Sequence, residues 1–184
     1  MDVACDACCI INFLASGEIL SRDPGAGVIT IPTTQLFVPS QVSRESLYLL
    51  QPDPNDPASL IKSPINLAPY FDVGVLRLCQ IETEEENDLF VRLAIDVDDG
   101  EAACLAIAKC RGMAIATDDR PASRLAAQLA VAVVNTPQFV RQWAEGVGAS
   151  RDQVAAIINR IRSFAKFVPR GDATDAEWWF AHAS

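Results

Sequence analysis

The chain has one histidine, His182, close to its C-terminal end. It also lacks a second cysteine pair to match Cys5 and Cys8, because Cys79, Cys104 and Cys110 stand alone. A zinc site normally needs two ligand pairs at matched spacing, so these shortages argue against one. The adjacent Cys8 and Cys9 cannot easily aim both sulfurs at a single ion. Small buried apolar residues are the plainer reading of these thiols, with a CxxC redox site as the alternative. A basic excess is missing as well. The net charge is −9, which counts against a general DNA-binding surface. The charge is uneven: residues 82–101 hold nine acids against one arginine, whereas residues 141–170 hold six basic residues against two acidic. No long apolar run is present. "CCIINFLA" is short, and the residues before it carry Asp2 and Asp6 but no Lys or Arg. Neither a signal peptide nor a membrane span is expected, and a cytoplasmic location follows. No internal repeat and no low-complexity tract is visible.

What is present is a chain of 184 residues, half of them hydrophobic, enough for one domain with a substantial core. "VACDACCIINFLAS" reads as a strand over Val3–Cys5 running into a helix that Gly17 ends. "GVITIP" and "LFV" read as short strands. "PSQVSRESLYLLQ" places Val42, Leu47 and Leu50 at helical spacing, so a helix is expected there, with Glu45 about one turn in. "PDPNDPAS" has three prolines and reads as an irregular surface loop. A helix capped by Thr83 and a second from about Asp99 to Cys110, closed by Gly112, follow. "MAIAT" and "VAVVN" read as strands. "DDRPASRLAAQLA", "TPQFVRQWAEG" (with Thr136 as cap) and "SRDQVAAIINRIRSFAKF" read as helices.

Strands alternating with helices predict an α/β fold with a largely parallel sheet. Sites in such sheets lie at the C-terminal ends of the strands. Four acidic positions fall at or near such ends: Asp6, Glu45, Glu101 and the pair Asp118–Asp119. An acid in a first helical turn is usually there for the helix dipole, and that explanation is strong for Glu101 alone. It is weaker for Asp6, which leaves an apolar strand and pays several kcal/mol of desolvation unless it finds a partner. If these acids converge they repel, unless a cation holds them. Hard oxygen ligands select Mg²⁺ or Mn²⁺ over Zn²⁺, and the single histidine fits that choice. Such a site can activate water for attack on a phosphodiester.

The order of "VACDACCIINFLA", "FVPSQVSRESL", "DDGEAACLAIAKCRGMAIATDDR" and "ASRLAAQLAVAVVNT" resembles the PIN domain family over residues 1–145. The resemblance implies an α/β/α sandwich with a central, mainly parallel sheet, and a helical extension packed on it over 146–184. It also implies a Mg²⁺- or Mn²⁺-dependent endoribonuclease that leaves a 5′-phosphate and a 3′-hydroxyl. An RNA substrate is implied, with an antitoxin protein and a homodimer as further partners, since many family members are toxins of toxin–antitoxin modules. By position, Asp6, Glu45, Glu101 and Asp119 match the family's four acids. Asp6, Glu101 and Asp119 would hold the metal, with Asp118 assisting. Asn12 would position rather than ligate. Arg120 and Arg124 would meet the RNA backbone, although ordinary solvated helix arginines explain them equally well. The family often has Ser or Thr where this chain has Cys8. The end "DAEWWFAHAS" reads as a packing anchor. The alternative to a nuclease is an inactive PIN-like module that binds a protein. A haloacid-dehalogenase-like phosphatase would need an early D-x-D, which Cys8 interrupts, and a receiver would need a different acid pattern.

Overall fold

A computed structural model of the chain describes residues 1–20 and 34–183. The first strand, β1 (Asp2–Cys5), is apolar from Val3 onward and buried there. That composition suits a strand with neighbours on both sides. Five parallel strands form the central sheet: β1, β2 (Gln35–Pro39), β5 (Leu76–Cys79), β6 (Ala114–Ala116) and β7 (Val133–Val134). Their spatial order is β5-β2-β1-β6-β7. The chain thus builds outward from β1 on one side, then returns to build outward on the other. The crevice between β1 and β6 is the point where this order reverses.

Helices cover both faces, making an α/β/α sandwich. On one face α5 (Asp99–Arg111) lies across β1, β2 and β6, flanked by α4 (Glu84–Leu93) and α6 (Arg120–Gln128). On the other, α1 (Ala7–Ser16) packs against α7 (Thr136–Val147) and α8 (Arg151–Arg160). Helix α5 is buried almost all round, with Ala102–Ala108 an unbroken apolar run. Its small residues let the helix approach the sheet closely. One continuous core runs from Val3 to Trp179. Among the described residues, no helix is long and apolar enough to cross a membrane.

Local signals explain most of these elements. Thr83 and Glu86 form a reciprocal capping box at the start of α4. Gly17 and Gly112 end α1 and α5 in the left-handed conformation that glycine adopts without a Cβ clash. The expected strand in "GVITIP" lies outside the described residues.

Three expectations need correction. The helix after "LFVP" is a single turn, α2 (Ser40–Ser43), and Glu45 lies just beyond it. Leu47 and Leu50 share a helical face on paper, but Leu47 leads into β3 (Tyr48–Asp53) and Leu50 lies within it. The loop expected at "PDPNDPAS" is the tip of an antiparallel hairpin between β3 and β4 (Asp56–Pro64). Pairing across the hairpin overrides the local spacing, and the Asp53 carboxylate closes the tip by accepting from Asn55 N–H at 2.8 Å. A two-stranded ribbon has only edges, so a proline that lacks an N–H can face outward. The cap of α7 is Asn135, not Thr136. Thr136 is committed elsewhere, as described below.

The predicted long helix after Ser150 is α8 continued by a π-helical turn, Ile161–Ala165. That turn ends at Lys166, in the left-handed region with φ 56°. A further helix, α9 (Ala176–His182), packs on α7 and α8. Trp179 on α9 is fully buried, and Phe167 meets it edge-on at 5.7 Å. Trp178 stacks on His182 at 4.5 Å. The short helix α3 (Ala68–Asp72) links the hairpin to β5.

Candidate functional site

The β1–β6 crevice gathers the acids. Cys5 pairs with Ala116 across it, and Asp6 N–H donates to Ala116 C=O at 3.0 Å. This register sets Asp6 beside Thr117. Asp6 is the N-cap of α1, its Oδ1 accepting from Ala7 N–H at 2.7 Å. Its Oδ2 accepts from the Cys8 thiol at 3.0 Å and from the Thr117 hydroxyl at 3.1 Å. Thr117 Oγ1 in turn accepts from Asp119 N–H at 3.1 Å, so one hydroxyl ties the ends of β1 and β6 together. Asp6 is buried. Burial pushes its carboxyl above the ordinary value, against the hydrogen bonds from Cys8, Ala7 and Thr117.

Glu101 lies in the first turn of α5, half-buried. Partial burial raises it to about 8, reinforced by the charges of Asp6, Asp98 and Asp119. Glu45 is raised to about 7, by partial burial first and then by Asp98 and Asp6. The Glu45 residue as a whole is exposed, but its carboxylate folds down onto the start of α5. There Gly100 makes room for it. A Cβ on residue 100 would overlap Glu45 Oε1, and would sit 3.4 Å from Asp98 Oδ1. The two carboxylate oxygens therefore lie within about 6 Å of each other, a range at which like charges repel. Asp98 is the N-cap of α5, accepting from Glu101 N–H at 2.8 Å. Asp119 caps α6 in the same way, accepting from Ala122 N–H at 2.9 Å.

Asp6, Glu45, Glu101 and Asp119 thus form one electrostatic group, and Asp98 belongs to it. Sequence reasoning missed Asp98. An acid at an N-cap three residues before an acid in the first turn was the available signal. Among the described residues no ion pair reaches any of the five. Arg44 lines an open groove of about 710 Å³ with Glu45, Asp98 and Gly100, yet is paired with neither acid.

Asp118 faces away from this group. Its Oδ1 accepts from Thr136 N–H at 2.9 Å. Its Oδ2 accepts from Asn12 at 3.0 Å, from the Thr136 hydroxyl and from the Cys9 thiol at 3.5 Å. Asn12 also donates to Thr136 Oγ1 at 3.0 Å. Asp118 is therefore a clamp between β6, α1 and α7. Burial raises its carboxyl, against the hydrogen bonds from Thr136, Cys9 and Asn12.

Cys8 Sγ, Cys9 Sγ and an Asp118 oxygen lie within 4.8 Å of one another, the one trio of potential ligand atoms this tight among the described residues. Each atom already has work. The Cys8 thiol donates to Asp6 and accepts from Asp118 N–H at 3.4 Å, and Cys9 donates to Asp118. Burial drives the Cys9 thiol well up. For Cys8 a hydrogen bond with Cys9 lowers the thiol, but burial and the charges of Asp6 and Asp118 outweigh it. Burial thus keeps both thiols above their ordinary value, and a metal bound there would have to displace a proton from each. No three of the five acids bring carboxylate oxygens that close to one another.

Arg120 and Arg124 are exposed, one turn apart at the start of α6, immediately after Asp119. The fold and this site define a parallel α/β sandwich with a carboxylate cluster at its switch point. No family model matches the chain, and no curated protein and no solved structure matches it.

Proposed function

We propose that the protein is a metal-dependent endoribonuclease, a PIN-like enzyme that hydrolyses RNA phosphodiester bonds with Mg²⁺ or Mn²⁺. The supporting observation is the carboxylate group at the switch point, two of whose members are raised to about 7 and about 8 with no cation paired to them. An all-oxygen donor set of this kind fits a hard divalent ion and suits zinc poorly. Asp6, Glu101 and Asp119 would hold the ion, with Glu45 and Asp98 on the groove side. Bound there, such an ion supplies an acidified water and charge stabilisation at the phosphate.

The chain's own groups do the rest. Three hydrogen bonds fix the Asp6 carboxylate, so it keeps one orientation as ligands come and go. Thr117 couples that orientation to the Asp119 backbone. The groove beside Glu45 and Asp98 is open enough to admit a strand. Arg120 and Arg124 would meet backbone phosphates, which positions RNA without reading its sequence.

The test is cleavage of single-stranded and structured RNAs with Mg²⁺, Mn²⁺ or EDTA, with Asp6→Asn run beside the wild type. Cleavage that needs the metal and vanishes in the variant is expected. Cleavage that survives in Asp6→Asn would remove the assignment. The melting temperature should rise with Mn²⁺ in the wild type and not in Asp6→Asn.

A further inference from the structure

Beside the carboxylates, on the side away from the groove, lies a cavity of about 320 Å³. Thr117 and Asp118 contribute to it from the end of β6, Asn135 and Gln138 from the start of α7, and Phe167 and Arg170 from the chain between α8 and α9. Thr117 is one hydrogen bond from Asp6, so the cavity adjoins the acids directly. Its volume is at the lower end of the range for small-ligand sites.

The wall built by residues 167–174 is held in place. Lys166 and Asp175, with φ of 56° and 61°, turn the chain at its two ends. Asn135 Nδ2 donates to Thr174 C=O at 3.1 Å, and Arg141 pairs with Asp175 at 2.7 Å. Phe167 rests on Trp179. The cavity is therefore preformed, and the C-terminal extension makes it.

We propose that this cavity receives the base of an RNA nucleotide next to the bond cleaved at the carboxylates. The inference rests on the nuclease reading above and adds where the substrate is gripped. The lining suits a flat, neutral, hydrogen-bonding group. Phe167 offers an aromatic surface. Gln138 Oε1 accepts from Asn135 N–H at 3.1 Å, which leaves the Gln138 NH₂ for a ligand acceptor. A phosphate lodged inside would face Asp118, whereas a base carries no charge to be repelled. Arg170 is exposed at the rim, and its Nε–H donates to Asp172 at 3.2 Å. Its remaining N–H groups are placed for a phosphate of the same strand outside the cavity. Groove, acids and cavity then lie in sequence along one strand path.

The test uses the full chain and a set of single-stranded RNAs of one sequence, each with a single abasic nucleotide at a different position. The abasic change at one position beside the cleaved bond is expected to lower kcat/KM roughly tenfold, the scale of one lost base stack. Ala173, a half-buried lining residue, gives the matching variant. Ala173→Trp fills the cavity and should lower cleavage of the intact RNA by a similar factor, yet cost nothing more on the abasic RNA. Arg170→Ala, on an exposed side chain, gives a second handle. It should weaken anisotropy-measured binding of the same RNAs to the Asp6→Asn protein in EDTA by severalfold. Metal-dependent cleavage that is indifferent to every abasic position and unchanged in Ala173→Trp overturns the cavity and leaves the nuclease reading standing. No metal-dependent cleavage of any RNA removes both.

Discussion

A methyl group on residue 100 would overlap the Glu45 carboxylate, and this gives the site a handle separate from stability. Glycine near a helix start is unfavourable relative to alanine by up to about 1 kcal/mol. Glu45 Oε1 is the far end of a flexible side chain and can swing away, but the buried Val42 Cγ2, 3.2 Å from the new methyl, must also give by a few tenths of an ångström, which offsets the helix gain. Gly100→Ala is therefore expected to leave urea stability within about 1 kcal/mol of the wild type while weakening the Mn²⁺ response and slowing cleavage severalfold. Lower stability with an unchanged Mn²⁺ response would show that Glu45 does not act from that place. Cys8 gives a complementary case. Its thiol donates to Asp6 Oδ2 at 3.0 Å, and a serine hydroxyl makes the same kind of bond, shorter and stronger. Cys8→Ser should keep metal-dependent cleavage near the wild-type level, whereas Cys8→Ala, which leaves Asp6 one donor short, should reduce it. Equal rates for the two variants would remove the orienting role of residue 8.

At the scale of elements, the sequence was legible wherever punctuation and periodicity agreed. The α4 start, the α5 stop at Gly112 and the strand–acid–helix junction at Asp6 all carry their own caps. Legibility failed where a distant segment decided the outcome. Leu47 and Leu50 have helical spacing, but pairing of residues 48–51 with 61–64 makes a strand there, a tertiary choice that local pattern does not contain. Glu45, expected inside a longer helix, follows a one-turn helix instead. Asp118 and Asp119 are adjacent and chemically identical in sequence. Only the position of α7 shows that Thr136 and Asn12 take up the first and leave the second facing the acids. The C-terminal extension was legible in part: "DAEWWFAHAS" reads as a packing anchor and Trp179 is buried, but which helices it lies against is again a tertiary matter. Trp179 joins the main core through α7 and α8. Trp179→Ala should accordingly cost about 3–5 kcal/mol in chemical denaturation, as large core truncations do. A cost below about 1 kcal/mol would mean that α9 is a detachable appendage.

For the molecule as a whole, the unpaired acid group sets a pH dependence of stability whose sign is unusual for carboxylates. Glu45 and Glu101 are raised from the ordinary 4.5 to about 7 and about 8. Well below 4.5 both are protonated in the folded and the unfolded chain, and they do not shift the balance. As pH rises past 4.5 the unfolded chain ionises first, so folding must hold back protons that the unfolded chain has released. Stability from these two groups is then lost progressively until pH passes the folded values. Glu86 acts in the opposite direction and in a different window. Arg111 holds it down at about 2, so its contribution is lost only as pH falls from 4.5 towards 2. In EDTA, the melting temperature should therefore fall between about pH 5 and pH 8. Glu101→Gln, which cannot ionise, should flatten the fall and melt higher than the wild type at pH 8. Mn²⁺ at pH 8 should restore the wild type and do less for the variant, because a divalent ion binds the ionised carboxylates and so reverses the penalty for forming them. A wild-type melting temperature that stays level from pH 5 to pH 8 in EDTA would mean that Glu45 and Glu101 are neither as buried nor as close to the other acids as described above. The metal reading would then lose its electrostatic basis.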